Sequence, residues 1–146
     1  MRLKGLRRVG LVGSVVGALM LLAAPAHAVT PAVAIGISSS GPYTVTGQCS
    51  AVAGAATNFN DITFVVDGTA TGSSTNGSVA VGASVTCRIY NKSTGKTYGS
   101  YGGGLPGPTA VAFGTVTVPR TANIGVEWCG AAVFSNGGSV SGCKKS

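Results

Sequence analysis

The sequence predicts a small all-β protein, an antiparallel β-sandwich stapled by disulfides, and three observations carry that expectation. After residue 28 the chain is built largely from Val, Thr, Ala, Ser and Gly, with Leu105 as its single Leu and Glu127 as its single Glu. Long helices want straight-chain residues that this segment lacks, whereas β-branched residues broken by Gly favour short strands. Turn signals such as Gly41-Pro42, Asp67-Gly68, Thr94-Gly95 and Asn136-Gly137 punctuate the chain. Four cysteines, Cys49, Cys87, Cys129 and Cys143, suit two bridges in an exported domain.

Export is read from residues 1–28. Arg2, Lys4, Arg7 and Arg8 open the chain, Val9 to Ala24 is apolar, and Ala26-His27-Ala28 is a small-x-small motif. This is the form of a secretory signal, with cleavage expected after Ala28. The apolar run of 16 residues is shorter than the roughly 20 a spanning helix needs, so no membrane insertion is expected after cleavage. Residues 29–146 are expected to form one domain, secreted and extracellular.

Removing the signal changes the charge argument. The full chain has a formal net charge of +7. Without the signal, Arg88, Lys92, Lys96, Arg120, Lys144 and Lys145 stand against Asp61, Asp67 and Glu127, which leaves six positive and three negative side chains, net +3. Along the sequence the cations are scattered apart from Lys144-Lys145. A nucleic-acid surface wants a clustered stripe, so no nucleic-acid partner is expected.

Taken in order, Val33 to Ile37 reads as a first strand, stopped by Ser38-Ser39-Ser40-Gly41-Pro42. Tyr43 to Ala53 alternates, with Tyr43, Val45, Cys49 and Ala51 on one face. Gly54 to Asn60 reads as a small polar connector, and Ile62, Phe64 and Val66 then point inward. Asp67-Gly68 reads as a turn and Thr69 to Thr71 as a short edge strand, before a loop at Gly72 to Gly77. Val79, Val81, Ala83, Val85, Cys87 and Ile89 share a face, with Gly82 bending the run or splitting it into two strands. A polar turn at Lys92 to Lys96 leads to Thr97–Tyr101. Thr109 to Val118 is a further strand, whose inward set shifts from Val111 and Phe113 to Val116 and Val118; that change of parity implies a bulge near Gly114.

The last hairpin is the most constrained. A two-residue Asn136-Gly137 turn would pair Ser135 with Gly138; a three-residue loop Ser135-Asn136-Gly137, with Gly in the left-handed position, pairs Phe134 with Gly138 instead, and this second register is the one that serves the cysteines. Paired numbers then sum to 272, and Cys129 lies opposite Cys143 at a non-hydrogen-bonded site, where side chains approach most closely. A cross-strand Cys129–Cys143 bridge near the surface follows, with Ile124, Val126, Trp128 and Phe134 on the core side. Cys49 and Cys87 pair by elimination, and both sit on apolar faces. Zinc is not expected, because the cysteine spacings contain no C-x-x-C knuckle.

Seven to nine short strands in about 118 residues are the pattern of an immunoglobulin-like sandwich, with a small β-barrel as the alternative. The stretch T-V-T-V-P followed by a loop and V-E-W-C-G-A resembles the penultimate strands of such domains. It departs from them at Glu127, where they place a Tyr two residues before the Cys.

The chemistry is narrow. The single His leaves with the signal, which removes Ser-His-Asp, Cys-His and His-based metal sites. Acid–base work would fall to Asp61, Asp67 and Glu127, and nothing in the sequence brings them together. Arg88 and Arg120 read as solvated residues before they read as an anion site. No cofactor and no enzymatic activity are expected. One stretch reads as a recognition loop: Tyr98-Gly-Ser-Tyr101-Gly-Gly-Gly-Leu105-Pro-Gly-Pro108. Tyr, Ser and Gly are the residues of adaptable paratopes, and Tyr98, Tyr101 and Leu105 are its candidate anchors. The expected function is a secreted, non-enzymatic protein that binds an extracellular protein or saccharide, or contributes to an extracellular surface. The alternative is a stoichiometric inhibitor of a secreted hydrolase that inserts this loop.

Overall fold

The computed structural model describes residues 31–54 and 58–146; the signal segment expected at 1–28 lies outside them. Eight strands follow one another: β1 (Ala32–Ser40), β2 (Tyr43–Ala53), β3 (Asp61–Ser74), β4 (Ala80–Asn91), β5 (Thr97–Pro106), β6 (Thr109–Pro119), β7 (Ile124–Phe134) and β8 (Ser139–Lys145). They form two four-stranded antiparallel sheets, in the orders β1-β2-β3-β6 and β5-β4-β7-β8. The chain crosses between sheets after β3, β5 and β6 and finishes in the β7–β8 hairpin.

The margins of the two sheets also meet. Tyr101 on β5 donates its hydroxyl to the Thr115 carbonyl on β6 at 2.5 Å. Ser38 on β1 donates to the Ser141 carbonyl on β8 at 2.7 Å. Side chains join these edges, so along both margins the sandwich approaches the small barrel that the sequence also allows.

The interior is organised around Trp128, which is fully buried. Its indole lies over Gly36 and Gly47, which are register partners on β1 and β2. A Cβ at Gly36 would come within 1.7 Å of the ring, and one at Gly47 within 2.7 Å of the indole nitrogen. Two side chains are missing from the first sheet where the largest side chain of the second enters. Beside this slot, Cys49 on β2 and Cys87 on β4 form a buried bridge that ties one sheet to the other. Tyr43 and Phe134 close the far end of the core with ring centroids 4.6 Å apart.

The final hairpin has the expected register. Phe134 N–H donates to Gly138 O and Gly137 N–H to Phe134 O, both at 2.8 Å, and Gly137 has φ +83°, the conformation Gly adopts without a steric penalty. Cys129 pairs with Cys143, their Cα atoms are 4.1 Å apart, and the bridge lies near the surface.

Several local expectations need correction. Asp67-Gly68 does not turn the chain: β3 runs through it to Ser74. Gly68 sits under the inter-sheet bridge, where a Cβ would lie 2.1 Å from Cys87 Sγ, so its small size serves packing. The first three residues of the loop expected at Gly72 to Gly77 therefore belong to the strand. The bulge near Gly114 is absent. The β3–β6 register is unbroken, with Ala110, Ala112, Val116 and Val118 buried and Val111 and Phe113 exposed. Alanines face inward because the sulfurs and Gly68 fill that part of the core; Ala112 Cβ would be 3.5 Å from a Cβ at Gly68. The β4–β7 register does shift between Ala80 and Gly82, and Val79 and Val81 point outward there.

Candidate functional site

The Tyr98–Pro108 stretch is a strand for most of its length, not a flexible loop. Residues Thr97–Pro106 pair with β4. Tyr98 is half-buried, and its hydroxyl accepts a hydrogen bond from Asn91 Nδ2 at 3.2 Å. Tyr101 lies over Gly114, where a Cβ would meet its ring at 2.2 Å, and its hydroxyl is spent on Thr115. Leu105 is exposed but faces the same side as buried Ala83, its register partner. The glycines have a packing reason too: a Cβ at Gly103 would lie 1.7 Å from the Val111 carbonyl oxygen. The residues that resemble a paratope are those that let β5 approach β6.

Asp67 stands apart from the other two carboxylates. Asp67 is on the outer face of the first sheet, and Asp61 on the same strand is six residues away, roughly 20 Å at strand rise. Asp61 Oδ2 accepts from Asn58 Nδ2 at 3.0 Å. Glu127 is on the outer face of the second sheet and pairs with Arg88 at 3.2 Å and Lys145 at 3.7 Å. Two-carboxylate hydrolysis needs a separation below roughly 10 Å across one shared space, and no such space links Asp67 to either partner. Among the described residues no cluster of three His, Cys, Asp or Glu side chains could hold a metal.

Folding brings together what the sequence scatters. All six cations among the described residues lie at one end of the sandwich, the end formed by residues 58–60, 92–96 and 120–123 and the end of β8. The opposite end, at residues 41–42, 75–79, 107–108 and 135–138, has no charged side chain. Antiparallel alternation explains this: Lys92 and Lys96 flank the β4–β5 turn, Arg120 follows β6, and Lys144 and Lys145 close β8. The three groups are far apart in sequence and at the same end in space. With Asp61 and Glu127 as the only acids there, the end has six positive against two negative side chains, a net +4.

Hydrogen bonds make this end one surface. Arg120 donates from its backbone N to Asn60 O at 2.8 Å and from Nη2 to Asn58 O at 3.3 Å. Between those two residues Phe59 is 97% exposed. Lys92 N–H donates to Asn123 O at 2.7 Å, joining the β4–β5 turn to the loop that Arg120 begins. Lys96 Nζ stands 5.5 Å above the Tyr98 ring and Lys145 Nζ 5.2 Å above that of Tyr90. The sequence reading missed Phe59; its signal was a lone aromatic in an otherwise small, polar connector.

A second surface differs in kind. The outer face of the first sheet presents ranks such as Ile37-Thr46-Thr71-Thr109 and Ile35-Gln48-Thr69-Val111 across its four strands. It is hydroxyl-rich between margins that expose Ile35 and Ile37 on β1 and Val111 and Phe113 on β6.

No protein-family model matches the chain, and no curated protein or solved structure matches it either.

Proposed function

We propose that this protein is a secreted, non-enzymatic binding module on an immunoglobulin-like sandwich, and that it engages an extracellular partner through its cation-bearing end. The convergence of Arg88, Lys92, Lys96, Arg120, Lys144 and Lys145 on one end is the observation that carries this reading. A local field of one sign steers oppositely charged partners and raises their local concentration. Two bridges, one of them buried between the sheets, support an oxidising compartment. No helix among the described residues is long and apolar enough to cross a membrane. Asp67 is remote from both Asp61 and Glu127, and Glu127 is engaged by Arg88 and Lys145, which supports binding over turnover. An inhibitor that inserts the Tyr/Gly segment is less well supported, because Thr97–Pro106 is a strand paired with β4.

The test is retention of the mature chain by envelope and extracellular material from its own culture. Saturable retention should survive the triple change Asp61→Asn, Asp67→Asn, Glu127→Gln. A substrate consumed by the wild type and spared by the triple variant would overturn the proposal, as would absence of any saturable retention.

A further inference from the structure

We infer that the cation-bearing end takes an anionic polysaccharide. This rests on the binding-module reading above and names the partner's chemistry. Lys92, Lys96, Arg120 and Lys144 have no carboxylate partner among the described residues, since the ion pairs there are those of Glu127 with Arg88 and Lys145. Their charges are therefore uncompensated. They are also spread over two loops and a strand end, so they do not converge on a single anion. A polymer with repeated negative charges matches that spacing.

Phe59 selects among polyanions. Its ring is exposed beside Arg120, whose two hydrogen bonds hold the residues on either side of it. A pyranose offers an apolar C–H face for such a ring and an anionic substituent for the neighbouring guanidinium. The surface suits other polyanions less well. A bilayer interface would want several apolar side chains above a basic rim, and among the described residues Phe59 is the one exposed aromatic at this end. Single-stranded nucleic acid uses successive stacking aromatics, whereas Tyr90 and Tyr98 are each covered by a lysine ammonium.

The experiment measures binding of the mature chain to dextran sulfate, polygalacturonate, neutral dextran, inorganic polyphosphate and vesicles containing anionic lipid. Sulfated and carboxylated polysaccharides separate the two anionic groups; binding of either one supports the inference and identifies the group. Affinity should fall as salt rises, because exposed charges are screened. Lys92→Glu with Lys96→Glu should weaken binding at least about tenfold, and Phe59→Ala about threefold for the polysaccharides alone. Equal binding of neutral dextran, indifference to the charge reversals, or tighter binding of polyphosphate or vesicles would overturn it. A chain retained by its own envelope material that ignores both anionic polysaccharides would sink this inference and leave the broader reading standing. A chain retained by neither would remove both.

Discussion

The indole Nε1 of Trp128 on β7 donates to the backbone carbonyl of Thr69 on β3 at 3.0 Å, across the interior between the two sheets. This bond pays for burying the one polar atom of the largest core side chain, and it fixes how the sheets stack. It exists because Gly36 and Gly47 leave room for the ring. Trp128→Phe should therefore cost about 2–3 kcal/mol, from the lost bond and the void. Gly47→Ala would put a Cβ 2.0 Å from the same Thr69 oxygen and should cost a comparable amount. Urea unfolding of the two single variants and the double variant should show strong non-additivity, because both act on one contact.

Gly68 makes a sharper prediction. Gly68→Ala forces a methyl group against Cys87 Sγ and should destabilise the fold by about 3 kcal/mol, or prevent the inter-sheet bridge from closing. Gly82 has nothing within 4 Å of its Cβ position and no positive φ, so Gly82→Ala should change stability by less than about 1 kcal/mol. Similar costs at both sites would refute the packing role given to Gly68.

The two disulfides should differ in accessibility. Cys49 and Cys87 are both fully buried, whereas Cys143 is exposed. Mild reductant with alkylation and peptide mapping should label Cys129 and Cys143 first, and Cys49 and Cys87 only on global unfolding. In the chain-entropy model the longer loop closed by Cys49–Cys87 contributes about 4 kcal/mol and the shorter about 3, so the double replacement of the buried pair should cost more.

Tyr101→Ala should lower the melting temperature, through loss of the Thr115 bond and the ring contact with Gly114, at about 2–3 kcal/mol. Partner affinity should hardly change. A loss of affinity at unchanged stability would restore β5 as a recognition element.

Much of the fold is legible in the sequence because its signals are local. Asn136-Gly137 sets the hairpin loop, the loop sets register, and register places Cys129 opposite Cys143. The alternation of Ile62, Phe64 and Val66 assigns a face directly. Where sequence pattern and structure part at a glycine or an alanine, a residue on another strand decides. Gly68 answers to Cys87, Gly103 to Val111, and Ala112 to the bridge beside it; none of these neighbours is near in sequence. The candidate site was illegible for the same reason. Lys92, Arg120 and Lys145 are scattered along the chain and become one surface only when antiparallel strands return them to the same end.

The most direct test of that surface is a paired binding titration of the mature chain against its retained extracellular material. One variant reverses Lys92 and Lys96 to Glu; the other introduces two Glu residues at the uncharged end, Ser135→Glu with Asn76→Glu. The account predicts that the first weakens binding at least about tenfold and removes much of its salt dependence, while the second leaves both unchanged. Binding that survives the first and fails in the second would place recognition at the opposite end and contradict the account.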